Sequence, residues 1–353
     1  MVTARGLVVA VDLEDARSPL EPQLEEFIAL ARATGAEIAG RVVQRRARID
    51  PATLVGSGKA REIAQSATEL GADTLFVFND LRPRQRINLQ EIVPLRIIDR
   101  TMLILDVFAQ HARSREGKLQ VELAQLRYRQ ANLIGAGTAL SRLGGGIGTR
   151  GPGETKLETD RRQIGRRIAT LRRALEDVRR QRANRRASGT GDPLVALVGY
   201  TNAGKSSLLN RLAGNARDAY VADQPFATLD PLVRKIWVGD DKSVRLADTV
   251  GFITELPEEL LSAFRATLEE LESAVLLVHV IDGSNPDWER QKRSVEATLH
   301  ELALDEKPVL EIFNKADRGT RSVPVSALRT SAVDGSGIAE LRDAIAARTA
   351  SLR

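Results

Sequence analysis

Apolar and polar residues alternate in short blocks over the first 112 residues of the chain. Short apolar runs rich in Val, Ile and Leu indicate buried strands, and longer segments with apolar residues three and four positions apart indicate amphipathic helices. Strands that alternate with helices favour a parallel sheet flanked by helices. We therefore predict a small α/β domain over residues 1–112. Its predicted strands are 6–11, 37–43, 74–78 and 95–98, and its predicted helices are 22–33, 59–70 and 84–92.

The pattern changes over residues 113–190, where apolar residues recur every three and four positions in two long stretches. This spacing is typical of long helices that pack along an apolar seam, as in a coiled coil. We predict a long antiparallel helical hairpin, with its second helix over about 157–186. The predicted seam consists of Leu119, Leu123, Leu126 and Leu133 in the first helix and of Ile164, Ile168, Leu171, Leu175 and Val178 in the second.

A glycine-rich segment at 135–153 separates the two predicted helices and also carries arginines. Glycines allow close backbone approach to a ligand, and arginines contact phosphates or stack on bases. A flexible linker is the alternative, but ordinary linkers lack interleaved apolar and arginine residues. We therefore predict that this tip loop is an interaction site. The candidate contacts are Arg142, Gly144, Gly145, Gly146 and Arg150 in the loop, with Arg162 and Arg166 on the second helix.

A phosphate-binding loop is predicted at 199–206, with the sequence GYTNAGKS, between a predicted strand at 194–198 and a predicted helix at 206–212. Glycines let backbone N–H groups turn towards phosphates, a lysine adds positive charge, and a helix N-terminus favours anions. Lys205 is the candidate phosphate ligand, and the hydroxyl of Ser206 is a candidate Mg²⁺ ligand. An accidental glycine turn is the alternative, which the flanking strand and helix disfavour.

Two further segments complete the predicted triphosphate site. Asp248 begins the segment DTVG after a predicted strand at 244–247, and it is expected to reach Mg²⁺ through water. The N–H of Gly251 is expected to bond the γ-phosphate and to lose it after hydrolysis. Thr228, in the segment FATLD at 226–230, offers a hydroxyl to Mg²⁺ and an N–H to the γ-phosphate. Lys205, Thr228 and Gly251 are thus the candidate catalytic residues, and Ser206, Thr228 and Asp248 are the candidate metal ligands.

The segment NKAD at 314–317 follows an apolar run at 308–313 and indicates guanine recognition. Asp317 can accept from guanine N1–H and from the 2-amino group, which adenine does not present there. Lys315 is expected along the base plane and Ser331-Ala332 near guanine O6. Ser326-Ala327 competes for that place, but a DGSG turn and a helix-like run follow Ser331. The predicted nucleotide contacts are Gly199, Tyr200, Thr201, Asn202, Ala203, Gly204, Lys205, Ser206, Ser207, Phe226, Thr228, Asp248, Gly251, Asn314, Lys315, Asp317, Ser331 and Ala332.

The segment VGSGK at 55–59 looks like the end of a second phosphate loop. Thr53 occupies the place of the first glycine, however, and Ala60 replaces the hydroxyl residue. We therefore favour an ordinary turn before a helix over a second nucleotide site.

Charge is distributed unevenly along the 353 residues. Residues 1–190 hold 33 Lys and Arg against 22 Asp and Glu, whereas the predicted nucleotide domain at 191–353 holds 19 against 25. The basic excess favours an acidic partner such as nucleic acid. The absence of cysteine excludes disulfides and thiol chemistry. No apolar run approaches the ~20 residues of a membrane helix, so we expect a cytoplasmic protein with no membrane partner.

The chain resembles the HflX family of ribosome-associated GTPases. The resemblance rests on GGGIGTRGPGETKLETD at 144–160, VGYTNAGKS at 198–206, FATLDP at 226–231 and DTVGFI at 248–253. It implies an N-terminal α/β domain, a helical hairpin at 113–190 and a C-terminal P-loop GTPase domain that binds GTP or GDP with Mg²⁺. It also implies binding to the large ribosomal subunit, with the hairpin tip near the rRNA of the peptidyl transferase centre, and splitting of stalled or idle ribosomes under stress.

Three features modify this expectation. Many bacterial members continue into a further C-terminal domain, whereas this chain ends soon after the helix that begins near Ile338. Phe252 stands where many small GTPases place the Gln that orients water, which predicts slow intrinsic hydrolysis stimulated by the ribosome. Asn202 stands where some related GTPases ligate K⁺, a further candidate cofactor; the alternative is that Asn202 only stabilises the loop. The alternative function is a GTP-dependent rRNA-binding module in ribosome assembly, with incidental hydrolysis. The free protein is expected to be a monomer.

Overall fold

The computed structural model of the chain divides into two compact units, each with its own sheet and apolar core. The first unit contains residues 1–110 and 119–175, and the second contains residues 111–118 and 176–353. The structure describes residues 4–15, 19–112, 114–143, 152–187, 191–214, 232–239, 242–253, 271–319 and 322–351.

Parallel strands alternate with helices in the first unit. The elements are β1 (Arg5–Leu13), α1 (Leu20–Ala33), β2 (Glu37–Arg46), α2 (Ser57–Glu69), β3 (Thr74–Val77), α3 (Pro83–Ile92) and β4 (Arg96–Asp99). The strand order is β2-β1-β3-β4, and every adjacent pair is parallel. Strands β1 and β3 lie in the middle of the sheet, where apolar side chains such as Leu7, Val9 and Leu75 are buried. The predicted parallel α/β domain is therefore confirmed.

Helix α4 (Arg100–His111) follows β4 and has no counterpart among the predicted elements. Its buried residues include Leu103, Ile104 and Leu105, which are consecutive and therefore point in three different directions around the helix. A helix that is apolar on most sides lacks the one-sided pattern by which amphipathic helices are recognised. Burial on several sides thus explains why the periodicity does not indicate it.

Two long helices, α5 (Arg115–Leu143) and α6 (Pro152–Ala187), follow α4. Within the first unit they pack along the predicted seam, where Leu123, Ile168 and Leu171 are buried. The guanidinium of Arg167 on α6 donates to the carboxylate of Glu122 on α5 at 2.7 and 3.0 Å. The predicted pair of packed helices is confirmed in this part of the chain.

The connection between these helices is shorter than the predicted loop at 135–153. Helix α5 continues to Leu143, and α6 already begins at Pro152. Ala139, Leu140 and Arg142 are strong helix formers that extend α5 despite the glycines before them. Proline is favoured at the first position of a helix, because it has no N–H to lose. Residues 144–151 lie outside the described residues.

A six-stranded sheet forms the centre of the second unit in the described residues. Its strands are β5 (Leu194–Gly199), β6 (Leu232–Trp237), β7 (Ser243–Asp248), β8 (Leu276–Asp282), β9 (Val309–Asn314) and β10 (Leu328–Arg329). The order is β10-β9-β8-β5-β7-β6, and only β6 is antiparallel to its neighbour. The carboxyl ends of β5, β7, β8 and β9 therefore meet at one edge, where open α/β sheets bind ligands.

Helices pack on both faces of this sheet. Among the described residues they include α7 (Lys205–Ala213), α8 (Trp288–Glu301) and α9 (Ile338–Ala350), and a 3₁₀ turn covers Ala316–Arg318. Leu208 and Leu341 contribute to the core on one face, and Val295 and Leu299 contribute to the core on the other. The predicted P-loop architecture is confirmed. None of the helices in the described ranges combines the length and the apolar character that crossing a membrane requires.

Candidate nucleotide-binding site

The predicted phosphate loop leaves the end of β5 and enters α7. Gly199 and Gly204 have φ angles of 153° and 93°. A Cβ at Gly199 would lie 2.3 Å from the carbonyl oxygen of Val280, and a Cβ at Gly204 would lie 2.2 Å from Nδ2 of Asn314. Both contacts are shorter than carbon atoms tolerate, so glycine is required at each position. The loop is therefore held tightly against β8 and β9.

Lys205 is buried at the start of α7. Its ammonium donates to the carbonyl oxygens of Gly199 and Tyr200 at 3.0 and 2.9 Å, so its charged end curls back over the loop. Burial lowers the pKa of Lys205 to about 8, while the Asp248 carboxylate raises it and the Lys315 ammonium lowers it further. A cation held with little solvent around it interacts strongly with an anion that replaces that solvent.

Ser206 and Asp248 come together beside this lysine. The hydroxyl of Ser206 lies 2.6 Å from Oδ2 of Asp248, and Asp248 is fully buried at the end of β7. Hydroxyl and carboxylate oxygens are the ligand types that Mg²⁺ prefers, and it commonly keeps waters besides. The donor set therefore fits a magnesium ion bound next to a phosphate. The following residue, Thr249, anchors this segment through a 2.6 Å hydrogen bond to the carbonyl of Leu197.

The segment after Asp248 lies directly against the phosphate loop. A Cβ at Gly251 would lie 2.7 Å from Cα of Thr201 and 3.2 Å from Nζ of Lys205. The N–H of Thr201 donates to the carbonyl of Phe252 at 2.7 Å, and the N–H of Phe252 donates to the carbonyl of Gly199 at 3.1 Å. These bonds fix Gly251 next to the lysine. The ring of Phe252 itself is buried in the apolar core that includes Val295.

The end of β9 reaches the other side of the loop. The side-chain amide of Asn314 donates to the carbonyl of Ala203 at 2.9 Å, and its oxygen accepts from the hydroxyl of Thr330 at 3.3 Å. Asn314 is 1% exposed, so both bonds are shielded from water. Asn314 therefore ties the guanine segment to the phosphate loop.

The structure brings Asp317 and Ser331 together. The hydroxyl of Ser331 donates to Oδ1 of Asp317 at 2.7 Å and accepts from the N–H groups of Val333 and Asp334. Ser326, the competing candidate, is exposed, and its neighbour Ala327 packs on a separate apolar cluster. Ser331 is therefore the serine that adjoins the NKAD segment.

Asp282 also belongs to this edge, although the motifs do not indicate it. Oδ2 of Asp282 lies 2.8 Å from Nζ of Lys315, and both side chains are largely buried. The available signal is the position of Asp282 at the end of the apolar strand β8, next to the end of β9. Polar residues at the carboxyl ends of adjacent parallel strands meet at the same edge.

Comparison with known proteins places the whole chain in one family. Models described as GTP-binding GTPase N-terminal, GTP-binding GTPase Middle Region and 50S ribosome-binding GTPase match residues 21–109, 111–188 and 194–315. GTPase HflX of Lacrimispora saccharolytica is 46% identical over 353 residues, which cover 96% of this chain and 82% of the relative. GTPase HflX of Escherichia coli is 48% identical over 296 residues, covering 83% of this chain and 69% of the relative.

The chain belongs to the HflX family of GTPases. The chain therefore binds and hydrolyses GTP.

The remaining predicted contacts of this HflX chain differ in their burial, and some of them lie outside the described residues. Tyr200 and Ala203 are buried within the loop, whereas Asn202 is exposed and adopts a left-handed backbone with φ 59°. Thr201, Ser207 and Ala332 are partly buried. Arg162 and Arg166 are exposed on α6. The predicted contacts outside the described residues are Phe226, Thr228, Gly144, Gly145, Gly146 and Arg150, and only the backbone of Arg142 is described, as part of α5.

The phosphate-loop-like segment at 55–59 has different contacts. Lys59 lies at the start of α2, and its ammonium pairs with the carboxylate of Glu62 at 2.7 Å. The guanidinium of Arg46 donates to the carbonyl of Val55 at 2.7 Å. A Cβ at Gly58 would meet no atom within 4 Å. These contacts support an ordinary turn at the start of a helix in this HflX chain.

Proposed function

We propose that GTP and Mg²⁺ bind at the edge where β5, β7 and β9 end in the second unit. The observation that supports this proposal is the convergence of two distant segments on the phosphate loop. Ser206 contacts Asp248, Asn314 contacts Ala203, and Gly251 leaves no room for a side chain beside Lys205. Residues 42 and 111 positions apart are thus brought together in the order that a guanine nucleotide requires, from phosphates to base.

In the phosphate half of the site, Lys205 leaves the loop carbonyls and pairs with the β- and γ-phosphates. The N–H of Gly251 bonds the γ-phosphate and loses this contact after hydrolysis. Ser206 would hold Mg²⁺ directly, Asp248 would hold it through water, and Thr228, which lies outside the described residues, would offer a further hydroxyl. Mg²⁺, when bound, neutralises charge on the phosphates.

In the base half, Asp317 accepts from N1–H and the 2-amino group of guanine. Lys315 lies along the base plane, and Ser331-Ala332 closes the site near O6. The hydroxyl of Ser331 already donates to Asp317, so the carboxylate is oriented before the base arrives. A preoriented acceptor loses less entropy on binding and discriminates more sharply between bases.

Hydrolysis in the isolated protein is slow in this proposal. The ring of Phe252 is buried in the apolar core, so it neither reaches nor orients an attacking water. Water positioning falls to the ribosome or to K⁺ beside the phosphates, for which the exposed Asn202 is the candidate ligand. Equal hydrolysis rates in K⁺ and Na⁺ buffers would rule out the K⁺ role.

The partner in this proposal is the large ribosomal subunit in the cytoplasm. Relatives named GTPase HflX and the family description 50S ribosome-binding GTPase support this choice. Exposed arginines such as Arg162 and Arg166 on α6 give the hairpin a cationic surface suited to RNA phosphates. We place the hairpin tip, including Arg142 and Gly144–Gly146, at the rRNA near the peptidyl transferase centre. GTP-dependent binding there splits stalled or idle ribosomes.

Light scattering of intact ribosomes tests the splitting activity. Addition of the chain with GTP or with a non-hydrolysable analogue is expected to lower the scattering, while GDP leaves it unchanged. Unchanged scattering with every nucleotide would favour the alternative, a GTP-dependent rRNA-binding module in which hydrolysis is incidental.

Replacement of Gly144, Gly145 and Gly146 together by alanine tests the tip. We expect weaker ribosome binding with unchanged affinity for GTP, because the nucleotide site uses other residues. Full ribosome binding by this variant would show that these glycines are not the contact.

A further inference from the structure

Asp282 is anchored at the nucleotide edge by its backbone and by its side chain. It ends β8, opposite Asn314 in the register of β8 and β9, and the next N–H, from Gly283, donates to the carbonyl of Asn314 at 3.0 Å. Its Oδ1 accepts from the hydroxyl of Ser284 at 2.6 Å and from the N–H of Ser284 at 3.1 Å. These bonds leave Oδ2 fixed in one direction, towards Lys315.

Lys315 is held at both of its ends. Its backbone has φ 64° and ψ 35°, a left-handed conformation that side chains other than those of Asn and Asp rarely adopt. Its ammonium lies 2.8 Å from Oδ2 of Asp282, with 14% of the lysine side chain and 13% of the aspartate side chain exposed. A lysine stem fixed at the Cα and at Nζ loses much of its rotational freedom before a ligand arrives.

Asp282 also changes the charge balance of the site. Lys205 and Lys315 are close enough for Lys315 to oppose the charged form of Lys205. The Asp282 carboxylate on Lys315 offsets part of that repulsion, as the Asp248 carboxylate does at Lys205.

We propose that Asp282 is a positioning residue for guanine recognition, which holds the stem of Lys315 flat along the face of the base. The inference rests on the proposed guanine site at Asn314, Lys315 and Asp317. The stem of Lys315 packs on the plane of the base and therefore makes no contact that depends on the groups at the edge of the base. Asp282 therefore raises the affinity for purine nucleotides in general, whereas Asp317 selects guanine among them.

Titration with fluorescent GDP and fluorescent IDP tests this role in four variants: Asp282→Asn, Lys315→Met, the double variant and the control Glu311→Gln. The control removes an ion pair of similar length, Lys292 to Glu311 at 2.7 Å, from the same sheet. We expect Asp282→Asn to weaken both nucleotides about tenfold, as loss of one hydrogen bond between charged groups implies. The control should bind both nucleotides like the wild type, and its kcat at saturating GTP should change little.

The double variant separates positioning from a structural role. If Asp282 acts through Lys315, the double variant binds as weakly as Lys315→Met alone. The inference would be overturned if the double variant lost as much binding free energy as the two single variants together. Unchanged or tighter nucleotide binding by Asp282→Asn would also overturn it. Tighter binding would mean that the ion pair has to open when the nucleotide enters.

Two further readouts keep the inference testable. Unchanged GDP binding by Lys315→Met would refute the proposed guanine site itself, rather than the role of Asp282 within it. Should Asp282→Asn fail to fold, Ser284→Ala removes the one hydrogen bond from the Ser284 hydroxyl to Oδ1 and retains both the N–H bond and the charge of Asp282. This variant is expected to weaken GDP and IDP equally by about threefold, since a neutral hydrogen bond contributes less than a charged one. Unchanged affinity in Ser284→Ala would count against positioning.

Discussion

Two turns of similar sequence begin helices in this chain, and they differ in how the lysine of each turn is held. At each, a glycine with positive φ precedes the helix: Gly204 at 93° before α7 and Gly56 at 85° before α2. The lysine that follows Gly204 is buried and bonded to loop carbonyls, whereas Lys59 pairs with Glu62 on its own helix. The burial of the lysine therefore separates the two turns better than their sequences do.

The neighbouring strands explain this difference. The loop at 199–206 leaves β5, which has β7 and β8 on its two sides, so residues at the ends of the sheet strands converge on it. The turn at 55–59 instead follows a short bridge between Asp50 and Leu54, and its nearby cation is Arg46 from the edge strand β2. Arg46 holds the turn in place by binding its backbone. The loop at 199–206 thus follows a central strand, whereas the turn at 55–59 follows an isolated bridge.

Replacing Lys205 or Lys59 by methionine should give the largest difference in GDP affinity between the two turns. Lys205→Met is expected to weaken GDP binding about 100-fold, since a hydrogen bond between charged groups contributes about 1.5–3 kcal/mol. Lys59→Met should bind GDP like the wild type. Fluorescent GDP titration measures both, and a comparable loss in Lys59→Met would contradict the contrast.

Replacing Gly204 or Gly58 by alanine should give a smaller difference between the two turns. Gly204→Ala combines an unfavourable φ with a contact to Asn314, and at roughly 2 kcal/mol of strain it weakens GDP binding about 30-fold. Gly58→Ala meets open space inside α2 and is expected to stabilise the fold by about 0.5–1 kcal/mol. Thermal unfolding combined with GDP titration checks both variants. A destabilised Gly58→Ala protein would show that the turn at 55–59 is as constrained as the phosphate loop.

The affinity for GDP should depend on pH through the buried Lys205. The pKa of Lys205 is lowered to about 8 in the free protein, and phosphates bind its charged form. Affinity for GDP should therefore fall about fivefold between pH 7 and pH 8.7, as the fraction of charged lysine falls. In the same range the unfolded chain binds more protons at this lysine than the folded chain, so the free protein gains stability as pH rises. Lys59→Met should keep this profile, and a flat profile would contradict the assignment to Lys205.

The two serine candidates should give the smallest contrast. Ser331→Ala removes the hydrogen bond to Asp317 and is expected to weaken GDP binding about threefold, which corresponds to ~0.7 kcal/mol. Ser326→Ala should have no effect, because Ser326 is exposed away from this bond. The reverse result would restore Ser326 as the serine of the guanine site.

Much of this architecture follows from the sequence, because the central strands are buried on both faces and appear as continuous apolar runs. The motif residues were also recognisable, since phosphate and guanine binding demand particular side chains at fixed spacing. Helix α4 could not be predicted from periodicity, because it is buried on several sides. The extension of α5 to Leu143 reflects helix formers that outweigh nearby glycines. Predicting that Asp282 lies beside Lys315 requires the register of β8 and β9, which local sequence does not specify.

Sedimentation with isolated ribosomal subunits tests the central claim most directly. The chain bound to a non-hydrolysable GTP analogue should pellet with the large subunit and leave the small subunit unbound. The same chain with GDP, and Lys205→Met with either nucleotide, should remain in the supernatant. Equal pelleting with GDP and with the analogue, or preference for the small subunit, would contradict a GTPase whose nucleotide site controls binding to the large subunit.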